Sequence, residues 1–370
     1  MPGAFLMPGE DRNASAADRC RRKSICLMED FPALLRRLIQ GGTMTAGESA
    51  SALGAIFDEQ LTTGQAAALL IALASRGETT EEVIGAATAM RQRALRVDHQ
   101  LPLVLDIVGT GGDGTRSINI STAAALVVAG AGVAVAKHGN RAASSACGSA
   151  DVLEALGVPL DRDPVETAEL LTSDRIAFLF APRYHPAMKA VAGLRRELGV
   201  RTIFNLLGPL CNPAGAQRQL VGVFGEAQVE LVAEAMQGLG IEAGAVVHSA
   251  SGMDEVSGEG PTWVAQFGPD SRSRWVLDPE KHGVRASLDE LRGGDARTNA
   301  QLILAILRGE RSPRADVVVL NAALALLLAG AAVDVDEGMA LARSSIGTGA
   351  ALEALDALRR GPSRFGTAHV

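Results

Sequence analysis

From residue 31 to about residue 96 the apolar positions keep helical spacing. Phe31, Leu34, Leu35, Leu38 and Ile39 fall on one face, the three-and-four rhythm that lays an apolar stripe along a helix. Leu61-Thr62-Thr63-Gly64 opens another segment, with Leu69, Leu70 and Leu73 aligned behind it. Glu78-Thr79-Thr80-Glu81-Glu82 opens a third, its acidic residues suited to the positive end of a helix. No strand-like run interrupts these segments, so the pattern predicts a small all-helical domain over residues 28–98.

After Pro102 the rhythm changes. Residues 103–108 form a short apolar run ending in glycines, residues 132–136 form another, and residues 119–130 read as the helix between them. Short apolar runs follow at 220–224, 245–248, 263–267 and 275–277, with helical segments at 227–239, 299–308 and 316–328. Alternating strands and helices predict an α/β sheet domain over residues 99–362. The stretch 186–198 is again amphipathic, through Met188, Val191, Leu194 and Leu198. Residues 186–210 are expected to return to the helical domain, leaving a cleft between the two.

Composition narrows the function classes. The 370 residues carry a formal charge of −7, which argues against nucleic acid or an anionic membrane as a partner, since both favour a strong basic field. The apolar runs at 122–136 and 317–333 are broken by Gly130, Gly132 and Asn321 and fall short of the roughly 20 residues a spanning helix needs. Cys20, Cys26, Cys147 and Cys211 show no CxxC spacing, so neither a zinc site nor a disulfide framework is expected and a cytoplasmic location is the simplest reading. The first 27 residues place charges where a signal peptide needs its apolar stretch; they read as a disordered extension, with Met28 an alternative start.

The candidate chemistry begins at Gly109-Thr110-Gly111-Gly112-Asp113-Gly114, directly after a predicted strand. Glycines let backbone N–H groups approach an anion, and loops before helix N-termini favour phosphate. The same glycines satisfy the dinucleotide pattern GxGxxG. That rival needs an acidic residue at the end of the second strand to hold a ribose. The second strand ends instead in Lys137-His138-Gly139-Asn140, with no Asp or Glu between Asp113 and Asp151. A dehydrogenase is therefore disfavoured.

Ser117-Ile118-Asn119-Ile120-Ser121-Thr122 opens the following helix. Its hydroxyls could be ordinary caps, but beside a glycine loop they can face a bound phosphate. Lys137 is one of only four lysines in the chain, and a compact ammonium at a strand end suits a phosphate. His138 reads equally well as structural or functional. Asp254-Glu255 lies in a glycine-containing loop, where adjacent carboxylates can share a hard cation; Mg²⁺ commonly bridges one or two carboxylates to substrate phosphates.

Taken in order, GTGGDG, SINIST, KHGNRAASS, GSADVLEALGV, HPAMK, LRRELGVRTIFNLLGPL and GMDE resemble the anthranilate phosphoribosyltransferase family. The segments QLTTGQAAALLIALASRGETTEEV and LRGGDARTNA are similar to it too, so the likeness runs from about residue 28 to about residue 360. The resemblance implies a nucleoside phosphorylase/phosphoribosyltransferase-like α/β fold with a helical N-terminal domain. It implies a homodimer joined through that domain, association with anthranilate synthase, and transfer from phosphoribosyl pyrophosphate to the amine of anthranilate.

By matching motifs, Gly109, Thr110, Gly111, Gly112, Asp113, Thr115, Asn119, Ser121, Thr122 and Lys137 would bind the donor. Gly109, His138, Asn140, His185 and Arg195 would line the anthranilate path. Ser121, Asp254 and Glu255 would hold Mg²⁺, two ions per subunit. No residue is assigned as general acid or base, because an aromatic amine is already uncharged at neutral pH. Spacing alone leaves Arg196 equal to Arg195; the resemblance selects Arg195.

Four positions depart from the family pattern: Ala146 where a basic residue is usual, Ser249 and Ser251 where Gly and Asp are usual, and Cys211 where Thr is common. A pyrimidine nucleoside phosphorylase-like enzyme and a non-catalytic phosphoribosyl-ligand-binding paralogue are the alternatives.

Overall fold

The computed structural model describes residues 31–142, 146–269 and 271–360. The expectations for the first 27 residues, Cys20 and Cys26 lie outside them. Four helices come first: α1 (Phe31–Ile39), α2 (Ala46–Phe57), α3 (Thr63–Arg76) and α4 (Thr80–Arg91). The last three start at reciprocal capping boxes, Thr45 with Glu48, Thr62 with Gln65 and Thr79 with Glu82. Each satisfies two N–H groups that a helix start otherwise leaves open.

The chain then forms β1 (Leu105–Gly109), α5 (Ile120–Gly130), β2 (Val135–Gly139), α6 (Ser149–Ala155), α7 (Pro164–Asp174), β3 (Ile176–Phe180), α8 (Ala181–Tyr184), a 3₁₀ turn (Pro186–Met188), α9 (Lys189–Leu198) and α10 (Phe204–Leu210). After these come β4 (Arg218–Gly222), α11 (Ala227–Gly238), β5 (Ala243–Ser249), β6 (Thr262–Gly268) and β7 (Ser271–Leu277). A 3₁₀ turn (Pro279–His282) and five helices complete the order: α12 (Leu288–Leu291), α13 (Ala296–Leu307), α14 (Pro313–Leu328), α15 (Val335–Gly347) and α16 (Ala350–Arg360).

The strands make one seven-stranded sheet in the order β3-β2-β1-β4-β5-β6-β7. Its first five strands are parallel and its last two antiparallel. Alternate residues of each central strand enter different cores. Ile107, Ala245 and Val247 face a layer built by α5 and α13–α16, whereas Val108, Val221 and Val246 face α11 and the helical domain. Strands covered on both faces read as continuous apolar runs, which is why they were detectable in the sequence.

Val191, Leu194, Phe204, Leu206 and Leu207 share a core with α2–α4, so α9 and α10 pack on the helical domain. No helix among the described residues is long and apolar enough to cross a membrane.

Several expected boundaries move. The second strand is Val135–Gly139 rather than 132–136, because its pairing with β3 continues from Val135↔Ile176 to Gly139↔Phe180. Lys137 and His138 thus lie within the strand. The partner strand itself was not anticipated, nor were α6, α7, α15 and α16. Asn119 stands at the N-cap of α5 rather than inside it.

Candidate active site

In parallel sheets ligands settle beyond the carboxyl ends of the strands, where the chain reverses its winding direction. That point lies between β1 and β4, whose registered ends are Gly109 and Gly222. A cleft of about 510 Å³ opens there, within the span of small-molecule sites. Every residue assigned to a site from the sequence lines it except Thr115. The Thr115 backbone N–H and hydroxyl instead donate to the two carboxylate oxygens of Asp113, at 3.2 and 2.7 Å. Its position is one of support for Asp113.

The glycine loop takes the backbone shape its sequence promised. Gly111, Gly112 and Gly114 have φ of 67°, 77° and 78°, a left-handed region closed to most side chains. Successive turns of this kind form an anion-binding concavity of N–H groups. Gly109 and Gly222 serve a different purpose: a methyl on Gly109 would collide with Asp254 Oδ2, and one on Gly222 would overlap the Asp254 carbonyl oxygen. Bare backbone at both strand ends is therefore what lets Asp254 sit beneath the loop. There its Oδ2 accepts the Gly111 N–H at 2.6 Å.

Glu255 accepts the Ser121 N–H at 3.1 Å, at the start of α5. The loop carrying both carboxylates is anchored from behind by Asn321, buried in the apolar α14. Its side chain donates to the Val256 carbonyl at 2.8 Å and accepts the Val256 N–H at 3.0 Å. Ser249 and Ser251, the departures from the family pattern, bond each other through their hydroxyls at 2.9 Å. The Ser249 N–H also meets the Met253 carbonyl at 3.0 Å, so the turn is closed by other means.

Beneath this wall lies a charged cluster that sequence reading did not anticipate. β1 and β2 are registered only at Leu105↔Val135, and polar groups fill the gap beyond. Lys137 Nζ donates to the Ile107 carbonyl at 2.5 Å and to Ser121 Oγ at 3.4 Å. Asp106, fully buried, accepts the His138 N–H at 3.2 Å and the Asn212 amide at 2.8 Å. Burial pushes Asp106 up to about 6, against the pull of Lys137 and its hydrogen bonds.

Burial and the charge of Asp113 push Asp254 up to about 7; burial and Asp254 push Glu255 up to about 8. Burial lowers Lys137, offset by Asp106, Glu255 and Asp254. One ammonium thus faces three carboxylates, and the excess of hard oxygen donors fits a divalent cation such as Mg²⁺. Among the described residues no group of three His, Cys, Asp or Glu side chains gathers around one point. A cation here would complete its shell with oxygens from a bound phosphate.

The facing wall has the opposite character. His138 and His185 are buried with ring centroids 5.1 Å apart. Burial pushes them down to about 3 and about 4, with the proximity of His185 adding to the shift of His138. His138 Nδ1 lies 3.1 Å from the Gly208 carbonyl; since a carbonyl only accepts, Nδ1 carries the proton. Nε2 is then an acceptor, with no partner among the described residues.

Arg195 is half-buried, makes no ion pair among the described residues, and lies over the Phe204 ring at 5.8 Å. Arg196 is exposed and outside the cleft, so the structure separates two arginines that spacing could not. Asn140 lies on the cleft rim. Cys211 is buried among the helices behind this wall, and Cys147 is buried too. Ala146 is exposed.

Comparison with known proteins gives the family. The α/β domain of a glycosyl transferase family matches residues 101–352, and the helical-bundle domain of that family matches residues 32–94. Anthranilate phosphoribosyltransferase of Rhodopseudomonas palustris (strain BisB5) is 48% identical over 325 residues, covering 88% of this chain and 96% of the relative. Among solved structures, the Thermus thermophilus anthranilate phosphoribosyltransferase superposes with a TM-score of 0.83 at 44% identity, covering 88% of this chain and 99% of that one. The Saccharomyces cerevisiae enzyme, in complex with PRPP and Mg, gives 0.82 at 27% identity over 92% and 97%.

Proposed function

The chain belongs to the anthranilate phosphoribosyltransferase family, and on that footing we propose that it transfers the phosphoribosyl group of phosphoribosyl pyrophosphate to the amine of anthranilate. The products are N-(5-phosphoribosyl)anthranilate and pyrophosphate, a step of tryptophan biosynthesis. One observation carries the reading: a single cleft joins an acidic, backbone-lined wall to a wall of neutral rings with Arg195, which has no ion pair among the described residues.

The donor takes the first wall. Its diphosphate lies against Gly109, Thr110, Gly111, Gly112 and Asp113, with Thr115 bracing Asp113. Its remaining oxygens meet Asn119, Ser121, Thr122 and Lys137. The Thr122 hydroxyl is buried without a partner among the described residues, as a group awaiting a ligand oxygen would be. Ser121, Asp254 and Glu255 hold Mg²⁺, two ions per subunit, which stabilise the charge that builds on the departing pyrophosphate.

Anthranilate takes the second wall. Arg195, pre-oriented on Phe204, suits its carboxylate. His138 Nε2 can accept a hydrogen bond from its amine, and His185, Asn140 and the backbone at Gly109 bound the remaining space. The C1–pyrophosphate bond breaks as the amine nitrogen bonds to ribose C1; one amine proton is then released. Because the aromatic amine is neutral before attack, the rate comes chiefly from positioning and from stabilising the leaving group.

The same reading divides the chain into domains over 28–98 and 99–362. It includes a homodimer through the helical domain, where Ile39 and Ile71 are exposed, association with anthranilate synthase, and a cytoplasmic location. The test is direct. Mixing the protein with phosphoribosyl pyrophosphate, Mg²⁺ and anthranilate should extinguish anthranilate fluorescence, and no loss of emission from folded protein would reject the activity.

A further inference from the structure

Asn is among the strongest N-cap residues, because its side-chain oxygen ordinarily accepts an N–H from the first helical turn. Asn119 occupies the N-cap of α5, yet its side chain makes no such bond. The carboxamide is held away from the helix on both sides. Its Oδ1 accepts from Asn299 Nδ2 at 2.9 Å, and its Nδ2 donates to the Cys147 carbonyl at 3.1 Å.

Asn299 lies 180 residues further along the chain and is 1% exposed. Its own Oδ1 accepts the Gly294 N–H at 2.8 Å, which fixes the amide so that the nitrogen faces Asn119. The residues just before it are stitched to the loop just before Asn119. Ile118 N–H meets the Leu291 carbonyl at 3.0 Å, Gly293 N–H meets the Arg116 carbonyl at 2.9 Å, and Ser117 pairs with Arg292. Gly293 has to be glycine for this: a methyl there would come within 2.5 Å of Asn299 Oδ1. Thus the LRGGDARTNA segment, to which no function has yet been attached, clasps the donor loop from outside the cleft.

A free Asn119 would turn its oxygen onto the N–H groups at the start of α5 and close that helix end. Held aside, it leaves the Thr122 N–H open beside its own hydroxyl, both without a partner among the described residues, while the Ile120 N–H is taken by the Ile118 carbonyl at 2.8 Å and the Ser121 N–H by Glu255. We infer that Asn299 is a positioning residue for the phosphoribosyl donor: it holds the Asn119 carboxamide off the helix, so that the N-terminus of α5 stays available to a phosphate oxygen. This rests on the donor assignment proposed above.

Asn299→Asp tests it with little change of shape. It keeps the acceptor for Gly294 and removes the donor to Asn119. Calorimetric binding of phosphoribosyl pyrophosphate with Mg²⁺ should weaken about tenfold, the effect of a buried bond lost with its partner left unpaired, and KM for the donor should rise in parallel. KM for anthranilate should stay within about twofold. In an Asn119→Ala background the Asn299→Asp effect should disappear, since two residues acting through one bond are not additive.

Gly293→Ala, which crowds the same amide without altering it, should give a smaller loss of the same kind and serves if Asn299→Asp fails to fold. Unchanged donor binding in both variants, or losses that simply add to those of Asn119→Ala, would overturn the inference while leaving the activity intact. A wild-type protein that bound no donor at all would overturn the functional reading itself.

Discussion

The two walls of the cleft handle charge in opposite ways. On the donor side Asp106, Lys137, Asp254 and Glu255 are brought together out of water, three carboxylates against one ammonium, and burial drives all three carboxyls upward. On the acceptor side burial drives His138 and His185 downward to neutrality and leaves Arg195 without a counter-ion among the described residues. One wall is preloaded with negative charge that a cation and a phosphate complete; the other waits for one carboxylate. Clustered pKa perturbations of this kind mark functional sites. The proposed function places the phosphoribosyl donor on the first wall and anthranilate on the second.

The largest effect expected comes from removing the preloaded charge. Asp254→Asn combined with Glu255→Gln should lower kcat roughly a thousandfold, the scale seen when a leaving-group stabiliser is lost. Thermal stability should hold or rise, because two mutually repelling buried carboxylates disappear. Full turnover in a folded double variant, read by anthranilate fluorescence, would mean the wall has another purpose.

Gly222→Ala attacks the same wall through packing alone. Its methyl would overlap the Asp254 carbonyl, and relieving an overpacked contact typically costs about 1–3 kcal/mol. The Asp254–Glu255 loop should move, so the Mg²⁺ dependence of the rate should shift to higher concentration. An unaltered Mg²⁺ titration would show that the close approach is not needed.

How much of this was legible in the sequence follows from distance along the chain. The glycine loop, Lys137 and the Asp254–Glu255 pair stand out because each is a local pattern with its own chemistry. The helices of the first domain were visible because capping boxes and apolar stripes are local too. Asp106 was hidden inside a run read only as an apolar strand, although a carboxylate there should have signalled a buried partner.

Asn212, Gly222, Asn299 and Asn321 act on residues that no local window contains; Asn212 meets Asp106 across 106 positions. The β3 run IAFLF was missed because five residues between a helix end and a proline give too short a period to read. By contrast α7 had a readable start in Asp163-Pro164 and Glu166, which form a capping box with proline in the first turn.

On the acceptor wall the expected effects are smaller. Arg195→Ala should raise KM for anthranilate about 10- to 100-fold, as loss of a charge-assisted pair worth about 1.5–3 kcal/mol implies. KM for phosphoribosyl pyrophosphate should scarcely change. If Arg196→Ala gave the larger effect, the carboxylate would lie outside the cleft and the division between the walls would fail.

The subtlest test uses pH, because the donor-wall carboxyls and the acceptor-wall histidines should push the stability of the metal-free protein in opposite directions, with the lowered Lys137 working against the carboxyls. A carboxyl raised on folding stabilises when protonated, so the contributions of Glu255, Asp254 and Asp106 grow as pH falls through about 8, 7 and 6. A histidine lowered on folding stabilises when neutral. The contributions of His138 and His185 are therefore present above their unfolded value of about 6.5 and are lost as pH falls toward about 3 and 4.

In EDTA, then, the urea midpoint should rise from about pH 8.5 to about 6.5, where only the donor wall titrates, and level off or fall below that as the histidines oppose it. Saturating Mg²⁺ should flatten the upper limb, since bound metal favours the ionised carboxylates. A midpoint that falls steadily from about pH 8.5 downward in EDTA would show that the donor-wall carboxyls are not held as the geometry implies.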